Sequence, residues 1–271
     1  MRHLVLTRFN IASPGREVAI RNSPGWLDRR FDLFEKYCLP SMAGQANRNF
    51  EWLIYFDSGT PASFRERIER DRSICPFTPR YVPMFDGQTA AHDVRPLLAN
   101  GVGPVLTTRL DNDDAVASDF IDRIQQEGAS APALTVLNFT NGIAMRDGLL
   151  YHAQDRSNPF TTLVEHDLAA VDTIWGKPHH QLGDKWTIRQ VGGPPVWLQV
   201  VHGENVTNRI KGRLVAETAV VDSFRLADRV AVVRPGALSV AVDHAVLAPW
   251  RRLREAAFRA IKPLVVKVRG E

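Results

Sequence analysis

The chain has 271 residues, of which 44% are hydrophobic and 24% charged, with a formal net charge of +4. That is enough for one sizeable core, and no window approaches 18 uninterrupted apolar residues, which excludes a membrane-spanning helix. The basic excess sits in residues 251–271, where seven Lys/Arg face only Glu255 and Glu271, so no nucleic-acid groove is expected over the rest.

In chain order, Leu4-Val5-Leu6-Thr7-Arg8-Phe9 reads as a first strand ending at Asn10. Its apolar run is too short for a secretory signal. Residues 10–25, with Pro14, Gly15, Pro24 and Gly25, read as a long loop. Leu27, Phe31, Phe34 and Cys38 recur at helical spacing, so a helix is expected over 26–38, continuing with a kink at Pro40. Phe50 to Asp57 is the next strand, closed by Ser58-Gly59-Thr60-Pro61. A charged helix over 61–72, a short strand at 80–84 and a helix over 88–100 follow. Strand and helix alternating in this way predict a mostly parallel sheet covered by helices. Cys38 and Cys75 show no metal-like or redox-like spacing and are expected to be reduced, which permits a bacterial-type cytoplasm.

The stretch with the most chemistry follows the apolar run Gly103-Pro104-Val105-Leu106. It reads Thr107-Thr108-Arg109-Leu110-Asp111-Asn112-Asp113-Asp114-Ala115. Carboxylates at the end of a sheet strand lie where open α/β sheets bind ligands. If the backbone stays extended, Asp111 and Asp113 leave on the same side, offering two hard oxygens to a divalent cation, Mn2+ or Mg2+, whose shell a diphosphate would complete. A calcium EF-hand fails because Ala115 and Val116 stand where Asp/Asn and Gly are required. The phosphatase Asp-x-Asp-x-Thr/Val pattern is disfavoured by its late position and by Ala115. The plain alternative is a solvated acidic turn entering a helix capped by Ser118.

Beyond it, Ala133 to Phe139 is a strand, and Asn141-Gly142 and Asp147-Gly148 mark turns of a hairpin. Residues 151–190 are polar and rich in Trp and His, suited to an acceptor pocket, with Trp175, Trp186 and Trp197 either stacking on sugar or buried. Pro195 to Asn205 alternates as a strand and delivers His202, a residue type that suits Mn2+ but is common as a surface hydrogen-bonding group. Trp250, Leu253, Ala257, Ile261 and Leu264 share one helical face, with Arg251, Arg252, Arg259 and Lys262 elsewhere around it and Pro263 shortening it. The expected outcome is docking on the main domain. The alternative is an interfacial helix in peripheral contact with an anionic membrane surface.

Several of these segments together resemble a known family. Cys38 to Gln45 with its Ser-x-x-x-Gln spacing, the run Asn49-Phe50-Glu51-Trp52-Leu53-Ile54-Tyr55-Phe56-Asp57, and the Asp-x-Asp-Asp before Asp119-Phe120 are similar to the opening of family-2 glycosyltransferases. Leu6 to Asn10 with Trp52 to Asp57 is closer still to a bacterial rhamnosyltransferase family. The resemblance covers about residues 3–127. It implies a GT-A-type α/β fold with a helical C-terminal extension, a nucleotide-diphosphate sugar as donor, a saccharide or lipid-linked acceptor, and inversion at the anomeric carbon. It places Asp57 on the nucleotide base, Asp111 on the ribose or metal, Asp113 on the metal, and His202 on the metal or diphosphate; Arg109, beside Asp111, is expected to contact the nucleotide as well. One departure is that Phe56 and Ser58 stand where the family often has a second Asp beside Asp57. The catalytic base is expected at Asp184 or, failing that, Glu165. Residues 1–127 form the nucleotide-sugar half, 128–210 the acceptor-side half of the same domain, and 211–271 the extension. The alternatives are a nucleotidyltransferase, of which Gly15-Arg16 is a faint echo, and a non-catalytic nucleotide- or sugar-binding relative. The expected place is the cytoplasm, peripheral at the inner face of the membrane.

Overall fold

The strand β1 (Arg2–Arg8) has five consecutive buried residues, the pattern of a strand covered on both faces. In the computed structural model, which describes residues 1–11, 20–99, 101–203 and 210–255, β1 is an interior strand of a seven-stranded sheet. Parallel to it on one side is β2 (Glu51–Asp57), followed outward by β3 (Thr78–Val82). On the other side lies β4 (Val105–Arg109), also parallel. A two-residue strand, β5 (Ala115–Val116), follows β4 but belongs to a second sheet. The main sheet continues through β6 (Thr135–Phe139), β9 (Thr161–Glu165) and β10 (Thr187–Val191) in the order β10-β6-β9-β4-β1-β2-β3, with β9 antiparallel to both neighbours. The expected fold class, a GT-A-type mostly parallel sheet flanked by helices, is what these strands build. Residues 135–191 extend the same sheet as residues 2–109, so no packing boundary falls near residue 127.

Alternation along the strands sorts the core into two layers. Val5, Ile54 and Leu106 face a cluster supplied by α1 (Trp26–Leu33), α2 (Leu39–Ala43), α3 (Ala62–Ile74) and α5 (Phe120–Ala129). Leu4, Leu6 and Leu53 face Ala90, Val94 and Leu98 of α4 (Gly87–Leu98). The expected kink at Pro40 is a π turn over Phe34–Cys38 that joins α1 to α2. Its Leu39 N–H reaches back five residues to Phe34 O, and this widening gives room to a proline ring that would otherwise press on a carbonyl one turn earlier.

The Ser-x-x-x-Gln spacing has a structural job. Ser41 Oγ accepts from Val116 N (3.3 Å), while Gln45 donates to Ala117 O (2.8 Å) and accepts from Ile121 N (3.1 Å). Both side chains are buried, and together they clamp the strand that follows the acidic turn onto α2. The cap of α5 is Asp119 rather than Ser118, with no side-chain capping bond.

The second sheet runs β12-β8-β7-β11-β5. The hairpin of β7 (Asn141–Arg146) and β8 (Leu149–Gln154) turns at Asp147-Gly148, both at positive φ, as expected. Asn141-Gly142 is not a turn but the start of β7. A Cβ on Gly142 would lie 2.0 Å from the ring of Trp197 in β11 (Trp197–Val200), so glycine is there for the close approach of an indole. β12 (Arg213–Leu214) pairs with β8. The C-terminal helix begins as α6 (Ala237–Val242), widens through a π turn at Asp243–Leu247, and is helical to residue 255. Trp250 and Leu253, expected to dock, point outward. Gly15-Arg16, Glu204-Asn205, Ala257, Arg259, Ile261, Lys262, Pro263 and Leu264 lie outside the described residues.

Gly142→Ala should therefore destabilise the protein by roughly 1–3 kcal/mol through overpacking. Thermal unfolding measures this; a Tm equal to wild type would contradict the packing of Trp197 on Gly142.

Candidate active site

Because β1 to β4 are parallel, Arg8, Asp57, Val82 and Arg109 all mark one edge of the sheet. Two buried asparagines bind these strand ends together. Asn10 accepts from Asp57 N (3.0 Å) and donates to Thr60 Oγ1 (3.1 Å). Asn112 donates to Phe9 O (2.8 Å) and Arg8 O (3.3 Å). The carboxyl edge is thus held in shape by side chains before any ligand arrives.

The acidic stretch leaves β4 and turns rather than staying extended, with Asn112 and Asp113 in the turn. The expectation that Asp111 and Asp113 share a side fails for that reason, and the two carboxylates take different partners. Asp111 accepts from its own strand's Arg109 (3.1 Å). Asp113 is only 7% exposed and its Oδ2 meets Arg30 Nη1 of α1 at 2.7 Å and His202 Nε2 at 3.0 Å. Burial pushes the Asp113 carboxyl up, but Arg30 and His202 outweigh it and hold it well below the ordinary carboxylate range. Asp114 goes the other way. Buried at 1% exposure, with Asp113 and Asp111 beside it, it is raised well above that range, and its Oδ1 accepts from Val200 N (2.8 Å) at the end of β11. Asp114 fixes the strand that delivers His202, so neighbouring letters do opposite things.

A cation bonded at ~2.1 Å to two ligand atoms at right angles holds them about 3.0 Å apart. Asp113 Oδ2 and His202 Nε2 have that separation, so this pair fits a divalent cation. Asp111 is not with them, and among the described residues no three of His, Cys, Asp and Glu gather as a metal-binding group.

At the ends of β1 and β4 stands a cationic aromatic wall. The Arg109 guanidinium lies 4.3 Å from the ring centroid of Trp175, Arg8 approaches the same ring at 5.9 Å, and Phe85 meets it edge-on at 5.0 Å. His179 Nδ1 is 3.5 Å from Arg109 Nη1; burial first and then Arg109 lower its pKa to about 4, so the ring is neutral at ordinary pH. Of the other tryptophans considered, Trp186 and Trp197 are buried in cores.

Glu165 does not reach this edge. It ends β9, which runs antiparallel to β4 and pairs it with Val105, four residues and about 13 Å from Arg109 along the strand. Its oxygens accept from Asp172 N (2.8 Å) and Thr173 N (3.2 Å), and burial pushes its carboxyl up to about 7. Those bonds anchor a segment in which Thr173 takes φ 66°, a strained value for a β-branched residue. The segment returns along the sheet through Ile174 N to Thr107 Oγ1 (2.9 Å) and presents Trp175. Glu165 therefore positions the wall from the far edge. Asp184 is exposed at the end of the 3-10 turn His179–Asp184, not at a helix start. Asp57 closes its turn through Gly59 N (2.6 Å) and pairs with Arg21.

Sequence reading passed over Arg8, Arg30 and His179. Arg30 lies 83 residues from Asp113 in the chain; its only local mark is Trp26 one helical turn earlier, over which it also packs.

The family described as "Putative rhamnosyl transferase" matches residues 2–214. No curated protein matches the chain. Among solved structures, S. aureus TarS 1–349 in complex with UDP is 12% identical, with a TM-score of 0.45, over 74% of this chain and 61% of that one. The chain thus spans about three fifths of that TarS structure. A "putative nucleotide-diphospho-sugar transferase" of Desulfovibrio desulfuricans G20 is 11% identical, over 74% and 82% of the two chains, with a TM-score of 0.37. The inositol-1-phosphate CTP transferase of T. maritima is 9% identical, over 73% and 89%, with a TM-score of 0.36. None of these structures is similar enough to lend this chain a ligand or an activity.

The two roles assigned to adjacent carboxylates separate on substitution. Asp114→Asn keeps an acceptor for Val200 N and should leave stability nearly unchanged. Asp114→Ala leaves that buried N–H unpaired and should cost roughly 1–3 kcal/mol. Equal denaturation midpoints for the two variants would contradict the Asp114–Val200 tie.

Proposed function

The chain belongs to the rhamnosyl transferase family, and we propose that it is a glycosyltransferase that moves rhamnose from a nucleotide-diphosphate sugar, dTDP-rhamnose, to an acceptor hydroxyl with divalent-cation dependence. One observation carries this reading: the ionised, nearly buried Asp113 sits at the carboxyl edge of the sheet with His202 Nε2 3.0 Å away. A buried carboxylate is costly unless something compensates it. Here the compensation sits at the position where a diphosphate in an open α/β sheet would lie.

The residues divide the work. Asp113 and His202 would hold the cation, which would counter the charge growing on the leaving diphosphate. Arg109, 4.3 Å from the Trp175 ring centroid and tied to Asp111, presents positive charge at the end of β4, suited to phosphate oxygens. Asp57 and Asp111 would face the nucleoside from the ends of β2 and β4. The acceptor oxygen forms a bond to the anomeric carbon as its proton passes to a carboxylate. The bond from that carbon to the diphosphate oxygen breaks, the electron pair leaving with the diphosphate and the configuration inverting. For the base we propose Asp184. It is solvent-accessible and lies on the same 3-10 turn as His179, which contacts Arg109, whereas Glu165 is occupied at the far edge.

Calorimetric titration with dTDP tests the cation site. Mn2+ should strengthen dTDP binding to the wild type by tenfold or more, and Asp113→Asn should remove that gain. Asn is the better substitute because Asp113 is buried against Arg30, so Ala would also lose structure. His202→Ala should weaken binding more with Mn2+ than without. Binding to the wild type that ignores Mn2+ would overturn the cation assignment.

For the base, Asp184→Asn should lower turnover by roughly 10²–10⁴-fold with donor affinity retained. Near-normal turnover removes Asp184 from the mechanism.

A further inference from the structure

We propose that the outward face of the C-terminal helix is a docking surface for an anionic lipid bilayer. Leu238, Val242, Val246, Trp250 and Leu253 are spaced by three or four residues, which lines them along one helical face. All five are exposed, Leu238 by 78%, Trp250 by 63% and Leu253 by 66%. The opposite face binds the body through polar pins. Asp243, 2% exposed, accepts from Leu214 N (2.8 Å) and pairs with Arg251 (2.7 Å), which also donates to Gly212 O (2.9 Å). His244 Nε2 lies 2.9 Å from Leu214 O. The helix is therefore held in place by one side while its apolar side is turned away from the protein. A ridge of large apolar side chains is not stable scenery for water.

Charge decides what covers it. Arg252 and Arg254 are exposed on the same helix turns as Trp250 and Leu253. Arg252 also lines a cavity of about 660 Å³ with Lys211, Arg213, Arg251 and Glu255, a recess richer in basic than in acidic side chains. The sequence beyond residue 255 adds Arg259, Lys262, Lys267 and Arg269 against Glu271 alone. An apolar ridge carrying a tryptophan and flanked by arginines matches a bilayer surface with negative headgroups, the rings and leucines entering the acyl boundary and the guanidinium groups staying at phosphate level. No helix among the described residues is long and apolar enough to cross a membrane, so this contact is one of lying on the surface. A second copy of the chain would offer the same positive charge to this one, which opposes pairing through this face. The surface sits outside the strand-end crevice and does not depend on which sugar is transferred there.

Co-sedimentation of the full chain with vesicles tests it, comparing phosphatidylcholine alone with phosphatidylcholine containing 30% phosphatidylglycerol. The wild type should partition at least tenfold better onto the anionic vesicles. Trp250→Asp with Leu253→Asp should lose at least tenfold of that partitioning, with Tm and elution volume unchanged. Arg252→Glu with Arg254→Glu should lose at least tenfold on anionic vesicles. Three results would overturn the proposal: no preference for anionic vesicles, a lowered Tm in the Trp250/Leu253 variant, which would mean the chain itself covers the ridge, or a wild-type dimer that this variant splits.

Discussion

The contact on which the candidate site depends is the Asp113 carboxylate lodged between Arg30 and His202. It joins three separate parts of the chain: the helix after the first strand, the turn after β4, and the end of β11 in the second sheet. A carboxylate at 7% exposure holds its charge only because cationic and hydrogen-bonding groups surround it. Removing either neighbour leaves charge stranded, so the geometry of the crevice and its electrostatics are one constraint. Asp114 strengthens the arrangement by fixing Val200, two residues before His202, and Asn112 by fixing the end of β1.

The rest of the scaffold serves this edge of the sheet. Ser41 and Gln45 hold the strand after the acidic turn against α2, and the π turn before Pro40 lets that helix pass a proline without breaking. Glu165 works at a distance: bonded to two backbone amides at the opposite edge, it sets the segment that brings Trp175 over Arg109. Polar side chains buried far from a crevice can in this way determine the shape of its wall.

Much of the fold was legible in the sequence because its signals are local. The apolar runs of β1, β2 and β4 and the helical spacing of Leu27, Phe31, Phe34 and Cys38 need only a few neighbouring letters, and the ordered motifs pointed to the family that matches residues 2–214. What was misread depends on contacts distant in sequence. Asn141-Gly142 has the letters of a turn, yet Gly142 starts a strand because Trp197, 55 positions later, needs the space. Glu165 looked available because it follows the acidic stretch in the chain, but antiparallel β9 carries it to the wrong end of the sheet. Arg30 carried little local signal beyond Trp26 one turn earlier, since its partner lies 83 residues away. The Asp-x-Asp spacing lies at the carboxyl end of β4, but its geometry was misread: the backbone turns between the two carboxylates and sends only Asp113 to His202.

The most direct test of the central claim is anomalous diffraction from crystals grown with Mn2+ and dTDP. The account predicts a manganese peak within about 2.3 Å of both Asp113 Oδ2 and His202 Nε2, with the diphosphate at the carboxyl ends of β1 and β4. A diphosphate bound elsewhere, or one bound there with no manganese and with Arg30 and His202 still closed on Asp113, would contradict it.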